Sequence, residues 1–335
     1  DDVGRLLLFR LLAGVAFGGV IPAAVALVSE FLPERTRASA VALVILGQAV
    51  GALLAALLLG WPALAAQSWQ MLVLYAGMAC AVVTLLLLLL PESPRYLALR
   101  DPAGAKLKAV LAALRVDPAG VMHATEAPSA RMRLVELFAP GRAQGTALLW
   151  ATFIGVGWPL SFFTNWLTRI YTEAGHAAAM GVRAMAFYSA GAIAGGLLLP
   201  LLSRRWHHDR VLLGTLAAAA LLTVLLGAVL ATGPAVLHLG AALLCGVFVS
   251  GAFFLLYPPA VRFYPTDVRA TGIGAAVAFG RIGNTISPAV AGLMLGAGLA
   301  PRTVFWAMAL PLLLSCTALW LFHRLTVTRV AHVAA

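Results

Sequence analysis

The chain has 335 residues, 62% of them hydrophobic and only 10% charged, with a formal net charge of +11. A soluble domain is closer to half apolar and a quarter charged, so a mean hydropathy of +0.97 excludes a water-soluble fold and makes lipid the solvent for much of the surface. The positive charge would point to nucleic acid in a soluble protein, but it fits basic loops on the cytoplasmic side of a membrane.

Crossing a hydrocarbon core of about 30 Å takes roughly 20 apolar helical residues. Nine such spans are predicted, at 6–29, 39–60, 70–90, 146–168, 180–202, 211–231, 236–261, 271–295 and 303–323. Asp1-Asp2-Val3 carries no Met, no basic n-region and no cleavage site, and an apolar span begins almost at once. That is not a signal peptide; it reads as a chain cut within a longer protein. The first span carries Arg10 near its outer end and Glu30 at its inner end, and the second holds Gln48. A lone amide in lipid needs a partner. Trp61 and Trp69 flank the short loop between the second and third spans, a position suited to interfacial anchoring. The stretch 91–144 is the one long hydrophilic segment; a short surface helix is expected around 104–114, with no second folded domain.

The six later spans follow. The fourth carries Trp158, Phe162, Asn165 and Trp166, the fifth Tyr188, the seventh Phe253, Phe254 and Tyr257, and the eighth Arg281 and Asn284. Proline interrupts several spans, as at Pro22, Pro159, Pro258 and Pro259, which membrane helices tolerate where neighbours re-satisfy the backbone. Cys80, Cys245 and Cys316 lie far apart in apolar runs and read as packing residues, without metal-ligand spacing. Seventeen of the 23 Lys and Arg residues follow the first, third, fifth and seventh spans or form the C-terminal end. The positive-inside rule makes those segments cytoplasmic. The predicted layout is three spans over 1–90, a cytoplasmic loop over 91–144, six spans over 145–325 and a cytoplasmic tail over 326–335.

Residues 14–38, GVAFGGVIPAAVALVSEFLPERTRA, match 246–270, GVFVSGAFFLLYPPAVRFYPTDVRA, at a constant offset. Gly14/Gly246, Val15/Val247, Gly19/Gly251, Phe31/Phe263, Pro33/Pro265, Arg37/Arg269 and Ala38/Ala270 are identical. The Phe-x-Pro-x-x-x-Arg-Ala run after both spans is hard to obtain by chance. Parallel repeats about an axis along the membrane normal are one architecture of transporters, with the binding site between halves. Glycines let helices approach closely, and Pro33 and Pro265 end the helices, which leaves Arg37 and Arg269 free to reach helix-end carbonyls or an acid such as Glu30. One position inverts its charge, Glu30 against Arg262, and invites an ion pair that closes the inner side. The alternative is that these charges only fix topology at the headgroups.

These residues resemble the major facilitator superfamily, from the fourth to the twelfth of its twelve helices. PESPRYL at 91–97 is similar to the motif that closes the sixth helix in sugar and organic-acid porters; Arg10 to Gly19, with Glu30 and Pro33, resembles the fourth helix. FYPTDVRATGIGAAVAFGRIGNTISPAVAG at 263–292 is most similar to the aromatic acid:proton symporter branch. The resemblance implies an all-α polytopic fold that lacks about three N-terminal helices and keeps nine. Two departures stand out. In the loop motif aligned with 195–210, Arg204 holds the family's Asp position and His207 its following glycine. The tenth helix offers Phe253, Phe254 and Tyr257 where amides are common in the branch.

Charge inside the membrane is costly and marks candidate sites. None of the 12 acidic residues falls mid-span, and all seven His lie at loops or ends. Arg10 and Arg281 do fall within spans. Two cations without an anionic neighbour suggest a substrate carboxylate held by guanidinium or an acid on an upstream helix. Snorkelling for Arg10 and a bond to helix carbonyls for Arg281 are the structural alternatives. The expected substrate-binding set is Arg10, Gln48, Trp158, Asn165, Trp166, Tyr188, Phe254, Tyr257, Arg281 and Asn284, with Glu30, Arg37, Arg262 and Arg269 at the gate. Rings and a few oriented polar groups suit an aromatic acid.

The resulting expectation is a monomeric inner-membrane importer of a small, aromatic carboxylate, coupled to protons by an acid upstream and needing no metal or cofactor. A sugar porter or efflux pump of the same fold is the neighbouring reading. A membrane enzyme would need a catalytic cluster at one face, and His207-His208 with Asp209 has no such spacing.

Overall fold

The computed structural model describes residues 3–32, 34–101, 104–114, 134–265 and 268–333, and every regular element among them is helical. Pro33, Thr266, Asp267 and residues 115–133 lie outside the described set, as do the side chains of Arg37 and of 326–333. The chain divides into two units, one of Asp1–Gln48 with Ala66–Ser129 and one of Ala49–Ala65 with Ala130–Ala335.

The first unit begins with α1 (Val3–Gly18) and α2 (Val20–Phe31), which are parted at Gly19. The α3 helix (Glu34–Leu59) passes at Ala49 into the second unit, which also takes the one-turn α4 (Pro62–Ala65), and the first unit resumes with α5 (Trp69–Leu87), capped by the Ser68 hydroxyl, which accepts from the Met71 amide. No residue of α1 or α5 is buried, as expected of helices whose apolar surface faces hydrocarbon. The PESPRYL run makes a helix start: Ser93 caps α6 (Pro94–Arg100) by accepting from the Tyr96 amide, with Pro94 at the first turn, where its missing N–H costs nothing. The α7 helix (Ala105–Leu114) falls where a surface helix is expected and packs Leu107 and Leu111 on Leu97 and Ala98. Lys106 pairs with Glu92 at 3.7 Å.

The second unit carries the core. A 3-10 turn, Leu134–Phe138, is pinned to α8 (Ala143–Glu173) because the Thr146 hydroxyl donates to the Leu137 carbonyl at 2.9 Å. Then come α9 (Ala178–Arg205), α10 (His208–Val229) and α11 (Ala235–Cys245). A five-residue π-helical segment, Gly246–Ser250, runs on into α12 (Gly251–Leu255) and α13 (Tyr257–Phe263). The last two helices are α14 (Arg269–Gly296) and α15 (Pro301–Val333).

Close packing depends on glycine in two places. A Cβ on Gly191 would collide with the Leu243 carbonyl, one on Gly195 with the Val247 carbonyl and one on Gly246 with the Tyr188 carbonyl, so α9 and the π segment meet backbone to backbone. At the other, α8 lies between α14 and α15: a Cβ on Gly157 would press on the Gly280 carbonyl and Asn284 Oδ1, and one on Gly155 on the Pro311 carbonyl and Ser315. Such approach drives helix association where hydrophobicity cannot. Ser315 Oγ donates to the Thr152 carbonyl at 3.1 Å and Ser161 Oγ to the Asn284 carbonyl at 2.7 Å across these contacts.

Seven helices are long and apolar enough to cross a membrane among the described residues, against nine expected. The expected second span lies within the 26-residue α3, whose described apolar run is Leu43–Leu59. The eighth forms the 28-residue α14, in which Arg281, Asn284, Thr285 and Ser287 dilute the hydropathy.

Candidate functional site

Residues three or four apart share one face of a helix. On α8 that spacing places Trp158, Ser161, Asn165 and Trp166 along one strip; on α14 it pairs Arg281 with Asn284. The strips meet because Gly157 and Gly283 remove the side chains that would hold α8 and α14 apart: a Cβ on Gly283 would collide with the Ile154 carbonyl. Asn165 Nδ2 donates to the Ser161 carbonyl at 2.8 Å, and the carboxamide stays on the exposed edge of the seam. Trp166 rests over Gly292.

Two polar atoms of this seam are buried without a hydrogen-bond partner, Trp158 Nε1 and Asn284 Oδ1. Arg281 is exposed on the unit's surface and close enough for its charge to act on the Tyr257 hydroxyl. Among the described residues no carboxylate pairs with it. Tyr257 is half-buried, edge-on to Phe253 with ring centroids 5.7 Å apart, and Phe254 is edge-on to Phe253 at 6.2 Å. The seam therefore combines one guanidinium, amides and aromatic edges.

Not every expected site residue joins it. Tyr188 is 1% exposed, its ring stacked on Phe163 at 5.0 Å and its hydroxyl 3.1 Å from Ser250 Oγ, so it fastens α8 and α9 to the π segment within the core. Arg10 and Gln48 belong to the other unit and are exposed in it.

Three of the expected gate residues, Glu30, Arg262 and Arg269, have partners within their own units, and the side chain of Arg37 lies outside the described set. Glu30 accepts a short hydrogen bond from the Ser93 hydroxyl, which ties the end of α2 to the cap of α6. Arg262 on α13 donates to Asp209 Oδ1 at 2.5 Å, and Asp209 Oδ2 lies 3.1 Å from His323 Nδ1 on α15. Asp209 thus joins three helices, a role that sequence reasoning missed. Its signal was a single acid in the otherwise basic run from Arg204 to Arg210. Arg269 Nε donates to the Tyr264 carbonyl at 3.2 Å, where α13 ends. Burial raises the Tyr264 phenol above its ordinary range, so it remains a neutral donor to Thr146. No cluster of three His, Cys, Asp or Glu side chains occurs among the described residues.

A family model described as Major Facilitator Superfamily matches residues 3–288. The chain is 27% identical over 322 residues to the benzoate transport protein of Acinetobacter baylyi, covering 94% of this chain and 68% of that one. It is 29% identical over 306 residues to the 4-hydroxybenzoate transporter PcaK of the same organism, covering 88% and 66%. It is 32% identical over 321 residues to the 3-(3-hydroxy-phenyl)propionate transporter of Escherichia coli K12, covering 96% and 72%. The chain thus spans about two thirds of the length of these curated relatives. Its fold matches the proton:xylose symporter XylE bound to 6-bromo-6-deoxy-D-glucose with a TM-score of 0.66 and 14% identity, covering 95% of this chain and 70% of that one.

Proposed function

Because the chain belongs to the major facilitator superfamily, we propose that it is a secondary transporter, not an enzyme, which takes up a small aromatic carboxylate together with protons by alternating access. The observation that carries the reading is Arg281. A guanidinium in a span is expensive unless an anion meets it, and this one stands beside Tyr257 and Asn284 with no carboxylate paired to it among the described residues. A carboxylate can take two parallel hydrogen bonds from a guanidinium, while Trp158, Trp166 and Tyr257 offer ring edges and faces to an aromatic body.

The names of the relatives support this substrate class: one carries benzoate, one 4-hydroxybenzoate and one a hydroxyphenylpropionate. Proton coupling is proposed with it; since none of the 12 acidic residues falls mid-span, the proton does not ride on a mid-span carboxylate of this sequence. Arg10 and Gln48 are proposed as further contacts from the first unit, and Glu30, Arg37, Arg262 and Arg269 as elements of the inner gate. The proposed topology has nine crossings, the seven long apolar helices together with Leu43–Leu59 and α14, in a bacterial inner membrane. The basic loops, 91–144 and the tail 326–335 then lie in the cytoplasm, the spans occupy 1–90 and 145–325, and the transporter works as a monomer.

The test is uptake by cells that express the protein from its own gene. Labelled benzoate should accumulate, be competed by other aromatic acids and collapse with a protonophore. The second reading, a sugar porter, draws on PESPRYL and the likeness to the XylE fold; hexose uptake that aromatic acids fail to compete would establish it instead.

A further inference from the structure

The α10 and α15 helices run side by side, and towards the end that carries Arg210 and Arg324 they leave a groove of about 440 Å³. Leu213, Gly214 and Ala217 line it from α10, and Cys316, Thr317 and Trp320 from α15. Its depth has a sequence cause. A Cβ on Gly214 would meet nothing within 4 Å, so neither helix fills the notch, and Trp320 forms its far wall while remaining 44% exposed.

Little inside the groove calls for a polar guest. The Thr317 hydroxyl donates to the Leu314 carbonyl at 2.9 Å, and Cys316 Sγ is turned to the Leu213 carbonyl at 4.0 Å. The walls otherwise ask for hydrocarbon, and in a bilayer a dry apolar notch on a helix pair is filled by an acyl chain.

The end of the groove is different. The Arg324 guanidinium carbon lies 4.3 Å from the centre of the Trp320 ring, one turn further along α15, so the ring orients the cation at the mouth. Arg210 lies one turn before Gly214 on α10 and is exposed. Among the described residues at this end, Asp209 pairs with Arg262 and lies 3.1 Å from His323, so arginines outnumber it. The mouth is therefore cationic, and basic pockets between transmembrane helices at the headgroup level bind anionic lipid heads.

We infer that this groove is a binding site for one anionic phospholipid of the surrounding bilayer. Its acyl chain lies along Gly214, Ala217 and Trp320, and its phosphate is met by Arg324 and Arg210. Two parallel hydrogen bonds from a guanidinium suit a phosphate, whereas a zwitterionic head brings its own ammonium group into a cationic mouth. The site lies on the lipid-facing side of the six-helix half and does not depend on which solute is carried.

Non-denaturing mass spectrometry of the whole purified protein tests it, by titrating phosphatidylglycerol and phosphatidylethanolamine with identical acyl chains. One phosphatidylglycerol per chain should bind at about tenfold lower lipid concentration than phosphatidylethanolamine. Arg324→Gln should bring the two lipids to near parity, and Arg210→Gln serves as the second variant if the first does not insert. Gly214→Leu, which fills the notch, should weaken both lipids. Equal binding of the two lipids by the unmodified protein overturns the site. So does a preference that survives both arginine variants, or one that Gly214→Leu leaves untouched, since a preference without the groove is surface electrostatics alone. A lipid-free pair of chains that covers the groove would also overturn it.

Discussion

A guanidinium held within hydrocarbon costs several kcal/mol unless an anion or water meets it, and Arg281 sets the residue-scale argument. Under the proposed function, Arg281→Gln should lower benzoate uptake by at least about tenfold, the value of one charged hydrogen-bond pair. Arg281→Lys should recover only part of it, because an ammonium lacks the planar fork. A radiolabel uptake assay at equal membrane abundance decides it; unchanged transport by Arg281→Gln removes Arg281 from the site. Arg281 was legible in the sequence because charge inside a span is rare enough to notice. The strip of Trp158, Asn165 and Trp166 was legible by helical spacing. Tyr188 shows what was not: its side chain is stacked on Phe163 and bonded to Ser250. Nothing in a uniformly apolar helix tells the face that meets a neighbour from the face that meets a cavity.

At the scale of elements, hydropathy located the helices well, since each crossing needs an unbroken apolar run, but it is blind to how they join. The contact of α9 with the π segment rests on Gly191, Gly195 and Gly246, each against a carbonyl of the other strand of the contact. Gly246→Ala forces backbone apart, and overpacking of this kind costs about 1–3 kcal/mol or more. The variant should melt several degrees lower in detergent, while Gly240→Ala on the same helix, where a Cβ meets nothing, should not. The clamp at Asp209 was also illegible, because Arg262 lies 53 residues away and charge sign alone offers Glu30 as an equal partner. The Arg262 side chain is 56% exposed, so the pair is worth at most about 1 kcal/mol. Asp209→Asn should therefore lower the midpoint only slightly, and adding Arg262→Gln should cost nothing further in a double-mutant cycle. Additive losses would mean that the two side chains act apart.

For the whole molecule, the continuous buried core runs through the second unit, from Leu137 to Phe322. All the helices from α8 to α15 contribute to that unit's packing, so residues 130–335 expressed alone should insert and melt cooperatively within a few degrees of the full chain. A fragment that is degraded or shows no transition would place the source of its stability in the other unit. Within the second unit the inner register depends on backbone contacts that apolar composition does not encode.

The repeat has one more consequence, visible only with the helices drawn. The π segment Gly246–Ser250 closes at Gly251, and the break between α1 and α2 falls at Gly19. Gly251 and Gly19 are the same position of the repeat. The π segment thus ends, and the α1–α2 break falls, at neighbouring positions of the two copies, while the downstream Phe-x-Pro motif keeps the constant offset of the repeat.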